Sequence, residues 1–381
     1  MADFTIGLEE EYLLVERGSG ALAVQPPAEM LAECQSLVGS QVNPEFLQCQ
    51  IEVATGVCHD MAEARAELVR LRGTVAGVAG RHGLAPIAAG THPFARWADQ
   101  RHTDRPRYDA LAHDLAAVAR RLVICGLHVH VGIADKDLRI DLMNQISYFL
   151  PHLLALSTSS PFWQGEETGL HSFRLSVFDS LPRTGLPERF ESWGEYQRMV
   201  GRLVQAGLIE DATKLWWDIR PSARFPTLEL RVTDVCTRLD YAISIAALFR
   251  CLLAMLLRLK QGNQRWRLYA NAPIDENRWL AARYGAKGGL VDFGKGERLP
   301  YAGLLEEMIE LVREEAVAMG CLAEVERARG ILARGTSADR QLQVFRAALD
   351  IGKDRAEALR DVVAWLVAET VNFAIPGGHA A

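Results

Sequence analysis

Residues 4–15 read FTIGLEEEYLLV, three consecutive carboxylates inside a run whose other members are mostly apolar. A strand that carries charges must either sit at a sheet edge, where charge discourages aggregation, or turn them into a polar site. Side chains alternate across a strand, so Glu9 and Glu11 share one face and Glu10 points to the other. At about 3.3 Å of rise per residue, Glu9 and Glu11 stand roughly 6–7 Å apart, a span that suits two neighbouring metal ions better than one. For an isolated Glu-Glu-Glu the edge reading is the simpler one. Ile6, Leu8, Tyr12, Leu13 and Val15 weaken it by leaving little solvent-facing surface. Glu10, facing away from the pair, is expected to tolerate substitution.

Three later stretches repeat the theme. In VNPEFLQCQIEVATG, Leu47, Cys49, Ile51 and Val53 alternate with Gln48, Gln50 and Glu52, which puts Glu52 on a polar face. Glu45 has the wrong parity for that face, but the Asn43-Pro44 turn signal places it at the strand entry, where the chain can re-aim it. In CGLHVHVGI, His128 and His130 share one face; paired imidazoles converging on a cavity suit metal binding, and two satisfied core histidines explain them about as well. In FPTLELRVTDV, Glu229 and Arg231 share a face, most simply as an ion pair. Four strands that each direct ionisable groups to one side are explained more economically by one shared site. A ligand set of carboxylates and imidazoles without thiolates favours Mg2+, or Mn2+, over Zn2+. Such carboxylates holding several divalent ions imply an anionic ligand, of which nucleotide phosphate is the usual one, with Arg231 on a phosphate oxygen.

The chain as a whole has the composition of a soluble globular protein, 49% hydrophobic and 24% charged over 381 residues. Its net charge of −6 and isoelectric point near 6.0 disfavour a nucleic-acid partner. Neither a signal peptide nor a charge-free apolar run of membrane length is apparent, so no membrane partner and a cytoplasmic location are expected. Seven scattered cysteines without a C-x-x-C arrangement fit reduced thiols. Strands are expected at 4–15, 47–55, 84–90, 121–133, 171–178 and 227–235, and helices at 61–83, 105–119, 137–157 and 188–206. From about Leu239 the spacing is helical almost throughout. Strands first and helices last, without linker or repeat, make one α+β domain over 1–381. Loops 158–187 and 285–298 stand out for length; the second is Gly-rich, matches no P-loop and reads as a surface turn.

Glu-x-Glu, Glu-x6-Glu, Gly-Leu-His-Val-His and Leu-Glu-Leu-Arg, in that order, resemble the glutamine synthetase-like superfamily, and within it the bacterial carboxylate-amine ligases, or glutamate-cysteine ligase type 2. GTHP at 90–93, SSPFWQGEETGLHSFR at 159–174, WWDIRPSARFPTLELRVTD at 216–234 and RGTSADRQ at 334–341 extend the likeness through most of the chain. Ser337 departs from the glycine expected there. The resemblance implies a curved antiparallel sheet forming a funnel with metals on its floor. Carried over by position, Glu11, Glu45 and Glu52 hold one metal, and Glu9, His128 and Glu229 a second. Arg231 contacts the transferring phosphoryl group and His130 lines the phosphate side.

The implied activity is ATP-dependent amide formation through an acyl phosphate, glutamate with cysteine or another amine. Arg174 and Arg220 are the candidates for the substrate carboxylate and amine, against plain ion pairs. The rivals are a phosphotransferase acting on a small nitrogenous substrate, a metallohydrolase using His128 and His130, and a nucleotide-binding module without turnover. Base rates favour a homodimer.

Overall fold

The computed structural model describes residues 3–374, except for the side chains of residues 107, 110 and 111. Its centre is a seven-stranded antiparallel sheet built from β1 (Ile6–Glu16), β2 (Val42–Pro44), β3 (Gln50–Ala54), β4 (Leu84–Ile87), β5 (Leu127–Gly132), β6 (Ile219–Pro221) and β7 (Thr227–Leu230). The order is β6-β7-β5-β1-β3-β2, with β4 on the second half of β1. Along its first half β1 lies between β5 and β3, pairing Glu9 with His128 on one side and with Ala54 on the other. The edge-strand reading of its glutamates is thereby excluded.

Burial along β1 alternates as its sequence requires. Ile6, Leu8, Glu10 and Tyr12 are buried, whereas Gly7, Glu9 and Glu11 are half-buried on the opposite face. The buried face packs on the helix Met61–Arg81, which in turn packs on the helix Leu239–Gln261 that also contacts β5. The second of these is long and apolar enough to cross a membrane, but 83% of its apolar window is buried inside the protein, so here it is a core helix.

Glu10 overturns one expectation. It faces away from the cavity but not into solvent: it is fully buried and accepts hydrogen bonds from Arg72 Nε at 2.7 Å and Nη2 at 2.6 Å, and from the Tyr12 hydroxyl. The remaining donors of Arg72 reach the carbonyl oxygens of Cys236, Thr237 and Thr370. Alternation gives a side chain's face; what packs on that face is a tertiary matter, and a residue between helices and sheet is not free to change.

Several boundaries also shift. The expected strand 171–178 is a short helix, Phe173–Phe178. At its start a single bridge ties Ser172 to Ser160, with Phe173 N donating to the Ser160 carbonyl oxygen; beyond it Arg174 N donates to Ser160 Oγ and the chain winds into the helix, while the Ser172 hydroxyl donates to Asp234. The strand expected at 227–235 ends at Leu230, because Arg231 N and Val232 N both turn to the carbonyl oxygen of Asp218. Strands 47–55, 84–90 and 121–133 contract to β3, β4 and β5, and the short strands β2 and β6 carry too few residues to show a period. The stretch 285–298 contributes to a two-stranded hairpin, Gly289–Asp292 with Glu297–Pro300.

Candidate active site

The polar face of the sheet floors a cavity of about 430 Å³. Antiparallel register lines its ionisable groups up across the strands. Arg220, Glu229 and His130 are consecutive neighbours on β6, β7 and β5; His128 opposes Glu9; Glu11 opposes Glu52, which opposes Asn43 on β2. Glu45 follows β2 directly and reaches the site from the turn, its carboxylate accepting from Phe46 N at 2.7 Å. Glu9, Glu11, Glu45, Glu52, His128, His130, Arg174, Arg220, Glu229 and Arg231 all line this one cavity.

Two groups of donors emerge. Glu9, His128 and Glu229 form one and Glu11, Glu45 and Glu52 the other, the donor atoms within each group lying within 4.8 Å of one another. The second group is electrostatically unfavourable as it stands. Burial, then the neighbouring Glu45 carboxylate, push Glu11 up to about 7, against the pull of Arg174. Burial and the charges of Glu45, Glu9 and Glu11 hold Glu52 well above the usual carboxylate range. Crowded carboxylates of this kind could hold a hard divalent cation, which would remove the repulsion.

The first group is partly neutralised. Burial works against ionisation of Glu9, but a hydrogen bond with His128 and the close approach of His130 Nε2, both at 3.3 Å, hold it well below its ordinary value. Burial, and then Arg231, push His128 down to about 4, so its imidazole is neutral. Its Nε2 is buried with no hydrogen-bond partner among the described residues, a lone nitrogen of the sort a metal ligand leaves. Burial also opposes ionisation of Glu229, and the guanidinium groups of Arg231 and Arg220 outweigh it. His130 Nδ1 is 2.9 Å from Thr227 Oγ1.

The arginines differ in how they are engaged. Arg220 holds both carboxylate oxygens of Glu229, at 2.9 and 3.1 Å, and donates through Nη1 to the carbonyl oxygens of Thr213 and Leu215. Arg231 is ion-paired to the same Glu229. Arg174 is 2% exposed; among the described residues its guanidinium donates to the Arg231 carbonyl oxygen at 3.4 Å, lies over the Phe178 ring at 5.4 Å, and leaves Nε without a hydrogen-bond partner. Gly126 makes room for it, since a β-carbon there would stand 3.0 Å from Arg174 Cζ, and the Gly126 amide also donates to Glu11 at 2.6 Å. Sequence reasoning missed Gly126; its only signal is a glycine interrupting an apolar stretch. Lys214, Arg105 and an apolar wall were missed too, because their segments carry no period that aims them at the strands. Residues 334–341 are absent from the cavity lining: Ser337 opens a helix there and its hydroxyl lies 2.6 Å from Thr237 Oγ1.

An antiparallel sheet with an acidic floor and arginines beside it belongs to the glutamine synthetase-like fold, and the family the chain belongs to makes it an ATP-dependent ligase that joins carbon to nitrogen. The family described as "Glutamate-cysteine ligase family 2(GCS2)" matches residues 5–364, and the chain belongs to it. A relative from Rhodospirillum rubrum, provisionally named glutamate–cysteine ligase 2, is 62% identical over 97% of this chain and 96% of its own. One of the same name from Jannaschia sp. is 55% identical over 96% of each chain. At the level of fold alone, the glutamate–cysteine ligase of Francisella tularensis, solved in complex with AMP, superposes with a TM-score of 0.69 at 13% identity, over 99% of this chain and 91% of that one.

Proposed function

We propose that this chain is a Mg2+-dependent ligase that joins glutamate, or a similar acid, to an amine such as cysteine, acting in the cytoplasm as one catalytic domain in a homodimer. The substrate pair is suggested by the names of the relatives. The observation that carries the reading is the pair of donor groups, Glu11/Glu45/Glu52 and Glu9/His128/Glu229, side by side on one cavity floor.

A carboxylate is a poor electrophile because its leaving group is oxide. Transfer of the γ-phosphoryl group of ATP converts it to an acyl phosphate, from which an amine displaces phosphate. Divalent ions bound at the floor supply charge neutralisation between two anionic substrates. The chain's own residues do the rest. Arg231, beside Glu229, is placed to meet negative charge on the transferring group, and His130 lines the phosphate side. Arg174, with an unpartnered Nε inside the cavity, is the group we assign to the substrate carboxylate. Arg220 faces the cavity with its donors engaged, so we assign it to positioning Glu229, with any substrate contact secondary.

Glu11→Gln and Arg231→Ala test this in an assay of ADP release with glutamate and an amine acceptor. Each should lower kcat by roughly a hundredfold or more, the scale of losing one electrostatic stabiliser. Undiminished turnover in either would sink the metal-floor model. ATP binding without ADP formation over a broad panel of amines would instead point to a module without turnover.

A further inference from the structure

The two ends of the cavity differ in chemistry. At the β6–β7 end stand Lys214, Arg220 and Arg224, cationic groups that suit phosphate, with the aromatic rings of Trp216 and Phe225 beside them. At the opposite end, beyond β3 and β2, the lining is Phe46, Tyr108, Leu115, Leu122 and Ile124. Phe46 and Ile124 are buried, whereas Tyr108, Leu115 and Leu122 are only half-buried, each packed on the core by one side while lining the cavity. The polar groups of this stretch are turned to the backbone. The Tyr108 hydroxyl donates to the Pro44 carbonyl oxygen at 3.1 Å, leaving its ring edge-on to Phe46 at 5.7 Å, and the Gln50 amide donates to the Ile124 carbonyl oxygen at 2.6 Å. Exposed Arg105 lines the same end.

A wall of large, half-buried apolar side chains gains by covering them with an apolar ligand group, and gains little from a hydroxyl or carboxylate. Since this wall adjoins Glu45 and Gln50, it lies next to the Glu11/Glu45/Glu52 group, at the end of the floor away from the cationic groups. We propose that the acceptor is an α-amino acid with an apolar side chain larger than a thiol, seated against Phe46, Tyr108, Leu115, Leu122 and Ile124, with its carboxylate toward Arg105. The inference rests on the ligase reading and specifies its amine.

The test uses the full-length enzyme with ATP, Mg2+ and glutamate, and compares leucine, methionine, phenylalanine, cysteine, serine and aspartate as acceptors by kcat/KM for phosphate release and amide product. Hydroxylamine, which has no side chain, serves as a parallel acceptor that traps the activated acid as a hydroxamate. The best apolar amino acid should exceed serine and aspartate by at least about tenfold and also exceed cysteine, the scale on which hydrophobic pockets discriminate. In Leu122→Asn, the ratio of leucine to hydroxylamine kcat/KM should fall about tenfold; taken within one variant, the ratio is insensitive to loss of folded protein. Hydroxamate formation with a flat profile, or one led by cysteine, serine or aspartate, overturns the inference and leaves the ligase reading standing. No phosphate release with any acceptor, hydroxylamine included, overturns the ligase reading itself.

Discussion

Replacing Glu10 by glutamine separates the two faces of β1. The substitution conserves volume, but removes the charge opposite Arg72 and turns an amide nitrogen toward one of its N–H groups. Arg72 is itself fully buried, out of reach of bulk solvent. Removing one partner of a buried ion pair costs about 3–5 kcal/mol. At roughly 2.1 cal/mol/K of unfolding entropy per residue, 381 residues give about 0.8 kcal/mol/K, so the melting midpoint should drop by about 4–6 °C. Activity should behave differently. Below its melting range, Glu10→Gln should keep kcat within a few-fold of the parent, whereas Glu11→Gln loses it without any fall in the melting midpoint. Scanning calorimetry together with ADP release reads both quantities. An unchanged midpoint in Glu10→Gln would refute the buried-pair argument. A parental midpoint with activity lost as fully as in Glu11→Gln would refute the division of the strand into two faces.

The remaining predictions concern the cavity. Burial and the Glu45 charge raise Glu11 from an ordinary 4.5 to about 7, so the folded state favours its protonated form; the stability this contributes is present below pH 4.5 and is lost as pH rises through about 7. Without metal, the midpoint should therefore decline from pH 5 to 8 more steeply in the parent than in Glu11→Gln. Adding Mn2+ should reverse that decline and release protons, as calorimetry in two buffers would detect; a parental slope identical to that of the variant would count against the crowded-carboxylate account. Gly126→Ala should displace Arg174, raising KM for the acid about tenfold or more with a smaller effect on KM for ATP. Equal effects on the two would remove Arg174 from the substrate carboxylate.

Much of the candidate site was legible in the sequence. Period-two alternation is a local property of an extended backbone, and it already put Glu9 with Glu11, His128 with His130 and Glu229 with Arg231. It could not reach Glu45, which lies on a turn, nor Gly126, whose importance is the space it leaves for a side chain 48 positions away. Nor could it show that Arg220 engages both oxygens of Glu229, a pairing set by the register of β6 against β7.

The stretch 171–178 marks the same limit from the other direction. Its apolar pattern suits a strand, but a strand needs a neighbour, and the hydrogen bonds of this segment go to Ser160 and Asp234. Sequence alone determined which face each strand residue occupies, because alternation follows from the geometry of one chain. Tertiary structure decided what lies against that face, because packing depends on segments far apart in sequence. Two adjacent glutamates illustrate both: Glu9 opens on a cavity beside His128, and Glu10 is sealed against Arg72.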